Sequence, residues 1–265
     1  MDGAAEQQRA KAARAAVDAL TGEMAARVHA ARVRTRPFPH LVVDDALPAT
    51  LRQGLDSAWP RDDQMVHTNF GGRREKTATG LAKITAGAQR SFWNVLRHVT
   101  AAASEEIARK LDRHLADKFR PLIGPDWRRR MRDAAYMPAD CQVAEYRGRV
   151  ELAPHVDHAR LVINGFVYLD DPDPPTPEPR RGTMLYTSGG FAWPSNIAIP
   201  EKIRDHFLKE AVDIGWRDNR LFAYVNGPWS FHGVPPHDLG TARRRLLMLG
   251  RALTEETAAR LFGDE

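Results

Sequence analysis

Apolar residues in the first part of the chain recur every three or four positions. Val17, Leu20, Met24 and Val28 lie in a 4–35 stretch rich in Ala, Arg and Glu, which predicts a helix with one apolar stripe. Pro37 ends it, and Pro37–Asp44 reads as a short extended segment. Pro48, Leu51, Leu55 and Trp59 start a second helix, with proline tolerated in its first turn. Residues 61–87 are polar, contain glycine and keep no period, so they predict a loop or a mobile flap. Phe92, Leu96 and Val99, then Ile107, Leu111, Leu115 and Phe119, restore the helical period across 90–119, and Pro121 stops it.

From Cys141 onward the period changes to two. Short β-branched or aromatic runs at 141–146, 149–155, 161–169, 182–187, 196–199, 220–225, 229–234 and 244–252 are separated by Pro, Gly, Asp and Asn. Only Glu201–Val212 interrupts them with a helical pattern, and the proline-rich 171–179 segment reads as a surface loop. So many short strands in so short a span argue for a sandwich or barrel of the jelly-roll kind. The expected fold is mainly β with flanking helices (α+β). One domain is expected over 1–265: a helical arm at 1–36, a helical support layer at 37–140 and a jelly-roll core at 141–252.

Composition narrows the class. The 265 residues are 43% hydrophobic and 28% charged, which excludes a disordered or fibrous chain. No apolar run reaches the roughly 18 residues of a membrane span. The first fifteen residues lack the apolar core of a secretory signal. Cys141 is the sole cysteine, so no intrachain disulfide forms, and a soluble cytoplasmic protein is expected. The net charge of +5 comes with arginine clusters at 32–36, 128–132 and 243–245. None is interleaved with base-stacking aromatics or set in a DNA-reading motif, so the charge argues against a nucleic-acid partner and for a small, polar or anionic ligand.

The chemistry concentrates at Pro154-His155-Val156-Asp157-His158. On an extended strand His155 and Asp157 share a face, presenting one imidazole and one carboxylate. Two-thirds of a facial metal triad is thereby in place, and a third imidazole must come from elsewhere. His232, in Trp229-Ser-Phe-His-Gly-Val234, is the candidate, whereas His158 has the wrong parity. No nucleophile–base pair, phosphate loop or Cys-X-X-Cys spacing competes with it.

The order of these parts resembles the iron(II)- and 2-oxoglutarate-dependent oxygenase superfamily, in its prolyl-hydroxylase-like bacterial branch. Tyr146, Pro154-His155-Val-Asp157, Leu161–Leu169, Gly182-Thr-Met-Leu185, Asn219-Arg220-Leu221, Ser230-Phe-His232-Gly-Val234 and Arg243-Arg-Arg-Leu246 carry the resemblance, and Pro37-Phe-Pro-His40-Leu-Val-Val-Asp44 extends it. It implies a double-stranded β-helix with His155, Asp157 and His232 as ligands of Fe(II). Its co-substrates would be 2-oxoglutarate and O2. Arg243 would bind the far carboxylate of 2-oxoglutarate, with Arg245 as second choice and Tyr146 adding a hydroxyl. The intact Asp157 favours hydroxylation over halogenation. Arg181-Gly182 and Arg245 depart from the pattern, where a Gly-Gly pair and a small residue are usual.

For the substrate, Asn164, Tyr168, Phe191, Trp193 and Trp229 are the candidate pocket residues, and an amino acid, sugar acid or natural-product intermediate suits the charge. Residues 61–87 or 171–181 would supply a lid. The alternatives are a cupin-like metalloenzyme without 2-oxoglutarate, a non-enzymatic metal-binding sensor, and a demethylase within the same superfamily. The N-terminal helix serves either as core cover or as a dimer face, and the oligomeric state is not legible.

Overall fold

The structure is a computed structural model that describes residues 2–68, 73–170 and 182–263. In chain order the elements are α1 (Asp2–Ala30), β1 (Val33–Arg34), β2 (His40–Val43), α2 (Ala49–Ala58), β3 (Val66–His67), β4 (Arg74–Thr77), α3 (Ala78–Ile84) and α4 (Gly87–Leu111). Next come α5 (Leu115–Ile123), α6 (Trp127–Met131), β5 (Tyr136–Pro138), β6 (Gln142–His155), β7 (Leu161–Leu169) and β8 (Met184–Thr187). The chain closes with α7 (Glu201–Phe207), β9 (Lys209–Asp213), β10 (Arg220–Val225), β11 (His232–Leu253) and α8 (Glu255–Phe262). No helix of the described residues is long and apolar enough to cross a membrane.

All strand pairs are antiparallel. The larger sheet runs β1-β2-β10-β7-β11-β6-β4-β3, and β8, with β9 beside it, pairs with the start of β11. Two long strands build both layers. The first half of β6 pairs with the second half of β11 in the larger sheet, through Arg244↔Tyr146 and Leu246↔Ala144. Their other halves pair through His237↔Val150 and His232↔His155 beside β8. Both strands turn the corner at glycines in the left-handed region, Gly148 (φ 68°) and Gly240 (φ 58°), a conformation that a Cβ would strain. This is the jelly roll expected from the strand pattern. The predicted pairs 141–146 with 149–155 and 229–234 with 244–252 are each one bent strand, because pairing continues around the bend.

The helices cover one face of the larger sheet. On α4 the stripe Trp93, Leu96, Val99, Ala103, Ile107 and Leu111 is buried against Val143, Val167, Leu221 and Leu247. Truncating Leu96 there costs about 2–5 kcal/mol. On α1 only Met24 and Val28 are fully buried, Val17 and Leu20 are half-buried, and residues 4–16 are exposed on every side. The apolar stripe therefore covers the core with its C-terminal half alone. The opposite face of the sheet encloses a second core of Tyr168, Phe222, Tyr224 and Leu246 with Leu185 and Trp216.

Four local expectations fail. Residues 61–87 are not an aperiodic loop: they hold β3, β4 and α3, with 69–72 outside the described residues. Arg74-Glu-Lys-Thr77 has no apolar alternation because it is held by its ladder to β6 and by ion pairs such as Arg74–Asp62 at 2.5 Å. Pro121 lies inside α5 rather than ending it, since a proline in the last turn removes one N–H, and Gly124 N–H closes on the Arg120 carbonyl at 2.9 Å. Residues 196–199 form no strand, and the predicted 201–212 helix stops at Phe207, where β9 begins. The proline-rich 171–179 segment lies outside the described residues, as does 171–181 as a lid.

Candidate metal centre

Ladder pairing places the first two candidate ligands. His155 is the last residue of β6 and His232 the first of β11, and they are register partners with ring centroids 4.4 Å apart. The strands can approach here because residue 233 is glycine: a Cβ on it would lie 2.6 Å from the Leu152 carbonyl oxygen. Asp157 follows beyond the end of β6, so the strand parity that predicted a shared face does not itself reach it. Its backbone N–H instead donates to Asn226 Oδ1 at 3.2 Å. Asn226, 1% exposed, also donates from Nδ2 to the His158 and Leu161 carbonyls, both at 2.9 Å, and accepts from Ser230 Oγ at 3.2 Å. One amide thus ties the Asp157 turn to the turn that leads into His232. The sequence reading missed this residue; its only signal is an Asn-Gly-Pro turn at 226–228.

Hydrogen bonds orient the donor atoms. His155 Nδ1 donates to the Ala153 carbonyl and His232 Nδ1 to the Ser230 carbonyl, each at 2.9 Å. A carbonyl only accepts, so both Nδ1 atoms carry a proton, and in the neutral imidazole the lone pair lies on Nε2. Those Nε2 atoms lie 3.7 Å from Asp157 Oδ1 and Oδ2 respectively, and one ligand atom from each of the three residues falls within 4.8 Å of the others. Asp157 Oδ2 accepts from Asn164 Nδ2 at 2.8 Å and from the Tyr224 hydroxyl. Tyr224 Oη also lies 3.0 Å from His232 Nε2.

Charge follows burial and contact. Burial alone would raise the Asp157 carboxyl, but His232, His155 and the Tyr224 hydroxyl hold it well below the usual carboxylate range. Burial pushes His232 down to about 4. His155 is lowered by burial and raised more by the Asp157 carboxylate, so it ends above the usual histidine value. Near neutrality the cluster offers an ionised carboxylate and the His232 lone pair, and His155 adds its own once a metal displaces its proton; that donor set fits a non-haem iron(II) site.

The triad opens into a cavity of about 590 Å³ between the two layers, lined also by Tyr146, Asn164, Tyr168, Trp216, His237 and Arg244. Here the arginine expectation is corrected. Arg243 is half exposed outside the cavity, 3.5 Å from Glu145. Arg245 is 4% exposed on the other face of the sheet, where it bonds Asp56 at 2.5 Å and Asp170 and lies 4.8 Å over the Trp59 ring. Arg244 is the one that turns inward, opposite Tyr146. The parity argument separated 243 and 245 from 244 correctly, but the irregular pairing between Asp238 and Arg243 decides which face is inner. Arg244 Nη1 donates to His237 Nε2 at 2.8 Å, and the guanidinium lies 4.9 Å over the Trp216 ring. Neither His237 nor Trp216 was singled out from the sequence.

The other candidates divide. Tyr146 lines the cavity, and burial raises its phenol, which Arg73 contacts. Asn164 serves Asp157, and Tyr168 donates to Thr183 Oγ1 at 2.7 Å in the wall. Phe191 and Trp193 pack with Phe231 in a separate apolar cluster, and Trp229 lines another hollow with Pro37 and Lys118. His158 accepts from the Arg160 N–H at 3.2 Å and stays out of the cluster, although β6 ends before it and parity does not decide its place. Among the described residues of 61–87, Arg73 alone lines the cavity.

No protein-family description and no curated protein matches the chain. Solved structures do. The non-haem alpha-ketoglutarate-dependent epimerase SnoN from nogalamycin biosynthesis is similar with a TM-score of 0.50 and 13% identity, over 90% of this chain and 84% of that one. HygX from Streptomyces hygroscopicus, solved with nickel and 2-oxoglutarate, gives 0.48 and 13% over 82% and 83%. A Pseudomonas putida prolyl-4-hydroxylase gives 0.47 and 14% over 87% and 97%. The likeness to SnoN shows the fold alone, the jelly roll described above.

Proposed function

We propose that the chain is an iron(II)- and 2-oxoglutarate-dependent oxygenase that hydroxylates an unactivated C–H bond of a small organic molecule. The observation that carries this reading is one cavity shared by the His155–Asp157–His232 cluster and the inward Arg244. His155 Nε2, His232 Nε2 and the Asp157 carboxylate would hold the metal. Iron(II) bound there supplies the oxidising chemistry: substrate C–H, O2 and 2-oxoglutarate go to substrate C–OH, succinate and CO2.

The remaining work belongs to the chain. Arg244 offers a planar pair of donors that suits the far carboxylate of 2-oxoglutarate, and Trp216 and His237 fix its plane. Tyr146, across the ladder from Arg244, adds a hydroxyl at that end. Asn164 and Tyr224 hold Asp157 through Oδ2. The apolar walls exclude water from the reacting C–H bond.

Anaerobic titration of metal-free protein with Fe(II) and then 2-oxoglutarate tests the reading. The expected result is the weak visible charge-transfer band of the chelate, abolished in Asp157→Ala. No band in folded protein overturns it and moves a cupin-like or sensor function to first place. Retention of the band in Arg244→Gln at low 2-oxoglutarate overturns the role of that arginine.

A further inference from the structure

The walls of the cavity point to a substrate class different from the small polar one that the composition suggests. Resting on the oxygenase reading, we propose that the substrate is a small carboxylate with an apolar body, its charged end read by Arg204. Beside polar residues such as Gln142, Thr183 and Asn196, the cavity is lined by an apolar set: Val150, Leu152, Pro154 and Val234 of the corner strands with Ile197 and Ile199. A wholly polar molecule would have to give up its water to these side chains without hydrogen bonds in return. Ile197 is 61% exposed at the lip, while its backbone carbonyl is held by the Trp193 indole N–H at 2.8 Å. An apolar side chain fixed at the mouth of a cavity gains when a ligand covers it.

Charge assigns the polar end. Among the described residues three arginines line the cavity. Arg73 is in close ion contact with Glu75, and Arg244 is set toward the co-substrate with His237 and Trp216. Among the described residues Arg204, on α7, pairs with Glu201 at 3.7 Å and Asp205 at 3.6 Å, whose side chains are 78% and 66% exposed. Such solvent-screened pairs compete weakly with an anion delivered into the cavity. The apolar patch and the cation line the same cavity, so one ligand can meet both.

The test uses the iron(II)–2-oxoglutarate protein under anaerobic conditions, with octanoate, 1-octanol and octylamine as probes of equal chain length and titration calorimetry as the readout. Octanoate is expected to bind at least about tenfold tighter than octanol, the ordinary worth of one charge-assisted contact, and octylamine most weakly. Arg204→Gln is expected to bring octanoate down to the octanol value, and Arg204→Lys to restore part of the difference. Ile197→Ser is expected to weaken octanoate and octanol alike. Equal affinity for the three probes, preference for the amine, or no binding of octanoate overturns the substrate class while the visible chelate band still stands. Absence of that band overturns the oxygenase reading itself.

Discussion

Replacing Tyr224 by Phe tests how the fold holds its metal carboxylate. Asp157 Oδ2 has two donors, the Asn164 amide at 2.8 Å and the Tyr224 hydroxyl. The phenol is fully buried, and burial first, then Asp157, raises it well above the ordinary tyrosine value, so it carries its proton at every working pH. It has one proton and two acceptors in reach, since His232 Nε2 is 3.0 Å away. The ionised carboxylate is the stronger acceptor, so the proton lies toward Asp157 and no bond to His232 is broken when a metal arrives. The substitution therefore removes one of two charge-assisted bonds that orient the ligand.

Two effects oppose each other. A carboxylate with one donor fewer is more basic and attracts a metal more strongly; a carboxylate free to rotate must be re-ordered on binding. Loss of an outer partner ordinarily weakens metal affinity by about 10- to 100-fold, so the second effect dominates. That is about 1.4–2.7 kcal/mol. The fold is expected to survive: the ring stacks on Phe222 at 5.1 Å in either residue, and Oδ2 keeps its bond from Asn164. Anaerobic Co(II) titration followed by the d–d spectrum measures the affinity, with thermal melting as the control for folding. Asn164→Ala and the double variant complete a cycle, in which the double loss is expected to exceed the sum of the single losses. Unchanged Co(II) affinity in folded Tyr224→Phe refutes the reasoning.

Three further outcomes are expected. Arg244→Gln should raise the 2-oxoglutarate Kd by about thirtyfold or more, the loss of about 2–5 kcal/mol from an inward charge pair, while Arg243→Gln leaves it unchanged; an equal effect in both would return the role to residue 243. Arg245→Gln should lower stability by about 3 kcal/mol in urea unfolding with 2-oxoglutarate affinity intact, because the arginine is buried between Asp170 and Asp56. Metal affinity should fall by about tenfold per pH unit as acid protonates His155, one proton competing for its Nε2. The fall should begin above the ordinary histidine value of 6.5, since His155 is shifted up, and level off at higher pH. His232, already down at about 4, and the strongly acidic Asp157 add nothing in that range, so a flat profile through it counts against His155 as a ligand.

Legibility varied with how local the cause was. Leu161–Leu169 and Arg220–Val225 are strands with the predicted ends because each stays in one sheet with a buried face throughout. The long α4 stripe is equally plain, since a buried helical face repeats along its own sequence. The polar β4 was hidden: its ladder partners on β6 lie more than 60 positions away, as in Arg74↔Glu145, and its ion pair from Arg74 to Asp62 leaves no apolar period. Residues 196–199 have the composition of a strand but find no partner edge, and they line the cavity instead.

At the site the same division holds. The His155-Val-Asp157 spacing and the later Phe231-His232-Gly233 are local patterns, and from them the three metal candidates could be named from the chain alone. What holds those residues came only with the tertiary structure: Asn226 joins two turns 69 residues apart, and Tyr224 reaches Asp157 across 67. Arg244 shows the limit most clearly. Alternation along a strand tells which residues share a face, and it separated Arg244 from Arg243 and Arg245. Which face looks into the cavity depends on the pairing of β11 with β6 across an irregular corner, and pairing between distant strands is not written in the spacing of either one.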